Sequence, residues 1–290
     1  MDRKIRQLVI TGATSGIGKQ TTIEFAKKGW DICLVSRSEL KLKSFANQLA
    51  MDYPSIRIQY LPLDLSSIEA VKSAESWFDT HLDHVDLLIN NAGAIFGDLS
   101  YTTEGLEKTF ALNHMGYFTI THILLKVLMR GSDPQIINVA SVAHTFLKKV
   151  NWDDIYFEKR SYKQLIVYGQ SKLFNIYFTM YLAEQLLGKI RVNTLHPGTI
   201  RTGFGQSGSP FFSKLVRIGA PFLSKPQKAS SAILHIATVE ADKGVSGVYY
   251  DKARRGKLSK LAHNKENRET LWTLSENMSG INNYFKDVKM

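Results

Sequence analysis

Tyr168 and Lys172 stand at i and i+4 in the run VYGQSKL, a spacing that on a helix places both side chains on one face with Cβ atoms about 6 Å apart. A phenol with its ordinary pKa of about 10 is a sluggish base at neutral pH. An ammonium a few ångströms away, at an effective dielectric of about 20, favours the tyrosinate by roughly 3 kcal/mol, or about two pKa units. The pair is therefore expected to bring the phenol towards working pH, where one group can both hold and release a proton. Ser141, at the end of the apolar run PQIINVASVAH, supplies a hydroxyl that donates to an oxygen on which charge develops. In isolation the pair would be a core aromatic beside a snorkelling lysine, and the serine a turn or cap residue. The elements around them decide for chemistry.

The stretch RQLVITGATSGIGKQTTIEFAKKGWDICLVSRS predicts a strand at Gln7 to Ile10, a glycine turn, a helix from about Ile17 to Lys28 ended by Gly29, and a second strand at Ile32 to Val35. Glycines at 12, 16 and 18 permit a tight turn, a close backbone approach to a pyrophosphate and close helix–strand packing, and the N–H groups at the helix start favour an anion. Gly12, Thr14, Ser15, Gly16, Ile17 and Gly18 are the candidate phosphate contacts. After the second strand, where an acid would bind a ribose 2′-hydroxyl, stand Ser36 and Arg37. A guanidinium matches a 2′-phosphate bidentately and a carboxylate would repel it, so NADP(H) is preferred. The competing reading leaves Arg37 in solvent and gives the ribose to Glu39, with NAD(H) as the cofactor.

These pieces need a scaffold. The chain of 290 residues, 44% hydrophobic, is long enough for a substantial core. Short apolar runs alternate with helical patterns from residue 7 to about 195, and no linker, internal repeat or low-complexity tract interrupts them. The expected architecture is α/β: a single-domain Rossmann fold with a doubly wound, mostly parallel sheet and helices on both faces. Its core is expected over about 5–251, a substrate lid over about 203–226 and a basic carboxy-terminal tail over 252–290. The apolar LVI after the charged start is too short for a signal peptide or a membrane span, so the expected location is cytoplasmic. Cys33, in DICLV, reads as a small core residue. Lys and Arg number 37 against 26 acids, a net charge of +11. That charge alone raises nucleic acid as a partner, and no accompanying motif supports one. The basic cluster from Asp251 to Lys265 reads as a solvated face. No metal-ligand set is assigned.

Two more apolar runs stop abruptly, VDLLINNAG and PQIINVASVAH. In an open parallel sheet the ligand lies outside the carboxyl ends of the strands, which is where Asn90 to Gly93 and Ser141 fall. With TGATSGIG, NNAG, Asn113 in LNHMGYF, Ser141 and Tyr168-x-x-x-Lys172 in this order, the sequence resembles the short-chain dehydrogenase/reductase family over roughly residues 5 to 251. LPLDLSS, NVASVAH, YGQSKL and LHPGTIRT look like the retinol dehydrogenase and WW-domain-containing oxidoreductase branch. The resemblance implies hydride transfer between a nicotinamide and a carbonyl or alcohol, with Asn113, Ser141, Tyr168 and Lys172 as the catalytic four. It further implies that Lys172 holds the nicotinamide ribose and that Asn113 fixes a water linking Lys172 to solvent. Asp64 and Leu65 would meet the adenine, and Asn90, Ala92 and Gly93 the adenosine ribose. Pro197, Gly198, Ile200 and Thr202 would meet the nicotinamide and phosphate. A protein that keeps NADP(H) as a sensor without turnover is the alternative, and it has no chemical need for the four.

The stretch between Ser141 and Tyr168, HTFLKKVNWDDIYFEKRSYKQL, is longer than in short members of the family. It is expected to shape the substrate entrance or a subunit contact, with a plain surface loop as the other reading. In GFGQSGSPFFSKLVRIGAPFLSKP an apolar face of Phe211, Phe212, Leu215, Val216, Phe222 and Leu223 follows small, hinge-like residues. As a lid it would exclude water and favour a bulky hydrophobic carbonyl or alcohol. Its interleaved cations also fit a patch resting weakly on a membrane surface. A helix expected from about Tyr168 to Leu187 is apolar over much of its circumference and so is buried on more than one side. One side must pack on the sheet and the other is free for a homodimer contact, unless the long insert blocks it and leaves a monomer.

Overall fold

The computed structural model describes residues 5–199, 225–240 and 244–288. Its strands are β1 (Gln7–Thr11), β2 (Asp31–Ser36), β3 (Ile58–Pro62), β4 (Leu87–Asn90), β5 (Gln135–Val139), β6 (Arg191–His196), β7 (Tyr249–Asp251) and β8 (Arg254–Arg255). They form one sheet in the order β3-β2-β1-β4-β5-β6-β7-β8. Every pairing is parallel except the last, β7 with β8. The strand order reverses direction between β1 and β4, which opens a crevice at their carboxyl ends.

The strands read as continuous apolar runs because both faces are covered. Side chains alternate: Leu8, Ile10, Ile32, Leu34, Leu87 and Ile89 enter one core with α1 (Gly16–Ala26), α2 (Glu39–Asp52) and α8 (Pro226–His235). Val9, Cys33, Val35, Leu88 and Ile136 enter the other, covered by α3 (Ile68–Ser73), α4 (Glu75–His81), α6 (Gly116–Leu128) and α7 (Gln164–Gln185). A short α5 (Lys108–Phe110) leads into a π-turn, Ala111–Met115, just before α6. Cys33 is the expected core residue, its thiol pushed up to about 12 by burial. Among the described residues no helix is long and apolar enough to cross a membrane.

Two expectations about the later part of the chain change. Residues 252–288 are not a tail: α9 (Lys265–Ser279) is capped by the Asn264 side chain, which accepts from Asn267 N at 2.7 Å, and ends at Gly280 with φ +63°. Its Leu271 and Trp272, with Ile281, Tyr284 and Val288 beyond it, are buried in the second core. Apolar residues at helical spacing bring the segment down, while Lys252, Arg254, Arg255, Lys257, Lys260 and Lys265 stay exposed. Helix α7 begins one turn earlier than expected. It packs on β5 and β6, and Trp272 stacks on its Tyr181 with centroids 4.0 Å apart.

The long insert is packed too. Trp152 stacks on Phe174 at 5.7 Å and donates to Asn267 Oδ1, Asp154 accepts from the backbone N–H of Glu158 and Lys159, and Tyr162 donates to Glu107.

Candidate active site

The glycine turn is backbone geometry. Gly12 has φ +66°, and a Cβ on Gly18 would lie 2.2 Å from the Gly12 carbonyl oxygen. Only a residue without Cβ lets β1 and α1 meet this closely. Ser15, the residue before α1, makes no side-chain cap, and the first turn holds no acid. The amides of that turn are therefore left to an anion. Ser15 is exposed and Thr14, Gly16 and Ile17 half-buried around them. Thr14 Oγ1 lies 3.2 Å from Ser36 Oγ at the end of β2, and Arg37 beside it is exposed. This cradle fits the pyrophosphate of a dinucleotide.

Asn91, placed by the sequence at the strand end with no contact of its own assigned, ties the turn to β4: its side chain donates to Thr11 O at 2.8 Å, while Thr11 Oγ1 accepts from the N–H of Asn91 and Ala92. Only the second asparagine of NNAG signals it. Asn90 departs from its expected place against a ribose. It is fully buried, and its amide donates to Thr121 Oγ1 and Asn138 Oδ1, bracing β4 against β5 and α6. Asp64 is exposed and accepts from Ser66, whereas Leu65 is buried beside Gly116. Pro197 and the positive-φ Gly198 are buried just after β6. Ile200, Thr202 and residues 203–224 of the expected lid lie outside the described residues.

Asn113, Ser141, Tyr168 and Lys172 converge beside Gly93. A Cβ on Gly93 would stand 3.1 Å from Asn113 Oδ1 and 3.5 Å from Lys172 Nζ. Asn113 sits in the π-turn, an irregularity that recurs at functional sites, and its amide exchanges hydrogen bonds with the backbone of Ala94 and donates to Ser171 Oγ. Ser141 Oγ accepts from Ala143 N at 3.1 Å and is hydrogen-bonded to Tyr168. Lys172 Nζ donates to Val139 O at 2.8 Å, between the rings of Tyr117 and Tyr168 at 5.4 and 5.6 Å. Gly169 allows α7 to reach the Ser141 turn: a Cβ there would meet the Ala143 carbonyl oxygen at 2.6 Å. Tyr117 and Gly169 were not singled out in the sequence, although LNHMGYF and VYGQSKL contain them.

The electrostatics differ from the expectation. Burial pushes the Tyr168 phenol well up, and the hydrogen bond with Ser141, not Lys172, opposes it. Lys172 is itself drawn down to about 7 by burial. Desolvation wins because Lys172 is buried and the half-buried Tyr168 is crowded by protein on its inner side, so each resists its charged form. The two rings and the Val139 carbonyl favour the ammonium without restoring its usual basicity. At neutral pH the phenol is protonated, and the lysine is the group near its midpoint.

A sequence model of the short chain dehydrogenases matches residues 6–210. Retinol dehydrogenase 12 of Mus musculus is 33% identical over 275 residues, covering 94% of this chain and 86% of that protein. Retinol dehydrogenase 13 of Homo sapiens is 32% identical over 284 residues, covering 95% and 85%. Among solved structures, an uncharacterized protein from Mycobacterium paratuberculosis superposes with a TM-score of 0.72 at 26% identity, covering 95% of this chain and 93% of that one. The NADPH-dependent 3-quinuclidinone reductase of Rhodotorula rubra has the same fold, with a TM-score of 0.67 at 22% identity and coverage of 85% and 89%. With its glycine turn, its eight-stranded sheet and the four converging side chains, the chain belongs to the short-chain dehydrogenase family of oxidoreductases.

Proposed function

We propose that this protein interconverts a bulky hydrophobic aldehyde or ketone and its alcohol with NADP(H). The observation that carries the reading is the meeting of Ser141, Tyr168 and Lys172 beside Gly93, at the strand ends next to the uncapped start of α1. When bound, the nicotinamide supplies or accepts the hydride. The turn from Gly12 to Gly18 and the first amides of α1 hold the pyrophosphate, Arg37 and Ser36 the 2′-phosphate, and Lys172 the nicotinamide ribose.

In reduction, the Tyr168 hydroxyl and the Ser141 hydroxyl both donate to the substrate carbonyl oxygen. As the carbonyl carbon takes the hydride and the π pair moves onto oxygen, Tyr168 releases its proton to that oxygen, and the carbonyl becomes an alcohol. The tyrosinate left behind accepts from Ser141, and the Lys172 ammonium lies close to it. A phenol kept protonated by burial is in the correct form for this direction. In oxidation the same atoms run backwards, and Tyr168 takes the alcohol proton. The retinol dehydrogenases to which the chain is similar support a long, apolar substrate. So does the expected lid sequence with its phenylalanines.

The test is a panel of aldehydes and ketones with NADPH and NADH, followed at the nicotinamide absorbance. Wild type is expected to favour NADPH and bulky apolar carbonyls over small polar ones. Tyr168→Phe should lose about 10³-fold in kcat, the usual worth of a general acid, and Arg37→Glu should erase the NADPH preference. Turnover that survives in Tyr168→Phe sinks the proton route, and a wild-type preference for NADH sinks the role of Arg37.

A further inference from the structure

His144 follows Ser141 by three residues, in the short helical turn Val142–Phe146, and is fully buried. Its two ring nitrogens have different neighbours. Nε2 lies 3.3 Å from the backbone N of Ser259. An amide N–H can only donate, so Nε2 accepts and carries no proton. Nδ1 lies 2.8 Å from the Ser141 carbonyl oxygen, which can only accept, so Nδ1 holds the single proton of a neutral imidazole. The backbone N–H of His144 donates to the same carbonyl at 3.2 Å. One residue thus clamps the Ser141 carbonyl with two donors.

The clamp bears on the reacting side chain. Ser141 is extended, with φ −158° and ψ 153°, and its Oγ receives Ala143 N–H from inside the same turn. Rotation of the Ser141 peptide would break the His144 bonds and swing Oγ away from Tyr168. On its far side His144 is held by Ser259, which lies beyond the region 6–210 that the short chain dehydrogenase model matches. The ring of Tyr249 meets the imidazole edge-on at 5.2 Å, and His196 is close enough to oppose a charge on it.

We propose that His144 is a positioning residue for the reaction: held as its Nδ1–H tautomer by the Ser259 amide, it fixes the Ser141 turn through the Ser141 carbonyl and so sets the aim of Ser141 at Tyr168. This rests on the oxidoreductase reading above.

Two variants divide the clamp. His144→Asn places an amide nitrogen about where Nδ1 stands and keeps a donor for the Ser141 carbonyl, giving up Ser259. His144→Gln places an amide oxygen towards the Nε2 position and keeps an acceptor for Ser259, giving up Ser141. On the best carbonyl of the panel, His144→Gln is expected to lose about tenfold to a hundredfold in kcat, with the Kd for NADPH and the thermal midpoint near wild type. His144→Asn should retain kcat within about threefold, the order left when a catalytic geometry is kept. Independently of turnover, two-bond proton–nitrogen spectra of the wild type should show His144 protonated at Nδ1, its signals assigned by their absence in either variant. An Nε2–H tautomer overturns the proposal, and so does a His144→Gln enzyme as fast as wild type. Activity that merely follows the folded fraction in both variants does the same. If wild type turns over no carbonyl, the oxidoreductase reading fails by itself, and the tautomer still decides whether the clamp exists.

Discussion

The two halves of the site are built from different material. The turn from Gly12 to Gly18 is almost all backbone, and its geometry comes from residues within a few positions of one another plus one asparagine from β4. The cluster of Asn113, Ser141, Tyr168 and Lys172 is all side chain, and the groups that hold it come from far along the chain: Ala94 for Asn113, Val139 for Lys172, Ser259 through His144 for Ser141. A backbone site tolerates changes of side chain and fails when a Cβ is added. A side-chain site fails when one of its side chains, its burial or a distant partner alters. The difference also appears in the electrostatics, since the anion cradle stays open while Tyr168 and Lys172 are both pushed towards their neutral forms.

The sharpest break of this contrast is Lys172→Met. It should lower kcat by about 10²- to 10³-fold, since a positioned proton-handling group contributes that much, yet raise the thermal midpoint at pH 7 to 8. The folded lysine has its pKa lowered from 10.5 to about 7. Between those values the unfolded chain binds more protons, so wild-type stability rises with pH across the window and the strain is present in full below it. The Val139 carbonyl keeps Asn175 as a donor at 3.4 Å in the variant. A drop in midpoint would show that the ammonium is held, not tolerated.

Next comes Gly18→Ala, whose Cβ must displace the Gly12 carbonyl or the Asn91 amide. It should destabilise the fold by about 2 to 3 kcal/mol, as overpacking does, and weaken NADPH binding at least tenfold in a fluorescence titration. Retained affinity would show that the turn accommodates a methyl group and that the close approach is not what makes the cradle.

Gly169→Ala is the counterpart in the side-chain half. Pushing α7 off the Ala143 carbonyl should lower kcat about tenfold, through a small displacement of Tyr168 from Ser141, while the Kd for NADPH stays within twofold of wild type. Equal losses in both constants would merge the two halves into one mechanical unit.

The most gradual effect is in acid. Burial draws His114 down to about 3 and lowers His122, His144 and His196 as well. Each folded imidazole refuses a proton that the unfolded chain accepts below about pH 6.5. Their stability is therefore present above that pH and lost as pH falls towards the folded values, at about 1.4 kcal/mol per pH unit for His114. Denaturant midpoints measured from pH 7.5 to 5 should fall steadily, and a flat profile would show that these histidines open to solvent.

Much of this was legible beforehand because it is local. The glycines, the apolar runs of β1, β2, β4 and β5, and the i, i+4 spacing of Tyr168 and Lys172 all follow from the chain's own periodicity and steric needs. What escaped was long-range. The family resemblance gave Asn90 a ribose contact, and only the packing of β4 against β5 and α6 shows its amide turned inward. The segment 252–288 looked solvated because its first part is basic, and the aromatic pile of Tyr181, Trp272 and Tyr284 that anchors it forms only when α6, α7 and α9 meet. By itself, then, the sequence determined which atoms gather at the strand ends and which chemistry they can do, because residue type and short spacings carry that information. The tertiary structure alone decided their charge states and their aim, because desolvation and hydrogen-bond partners belong to the packed neighbourhood and not to the residue.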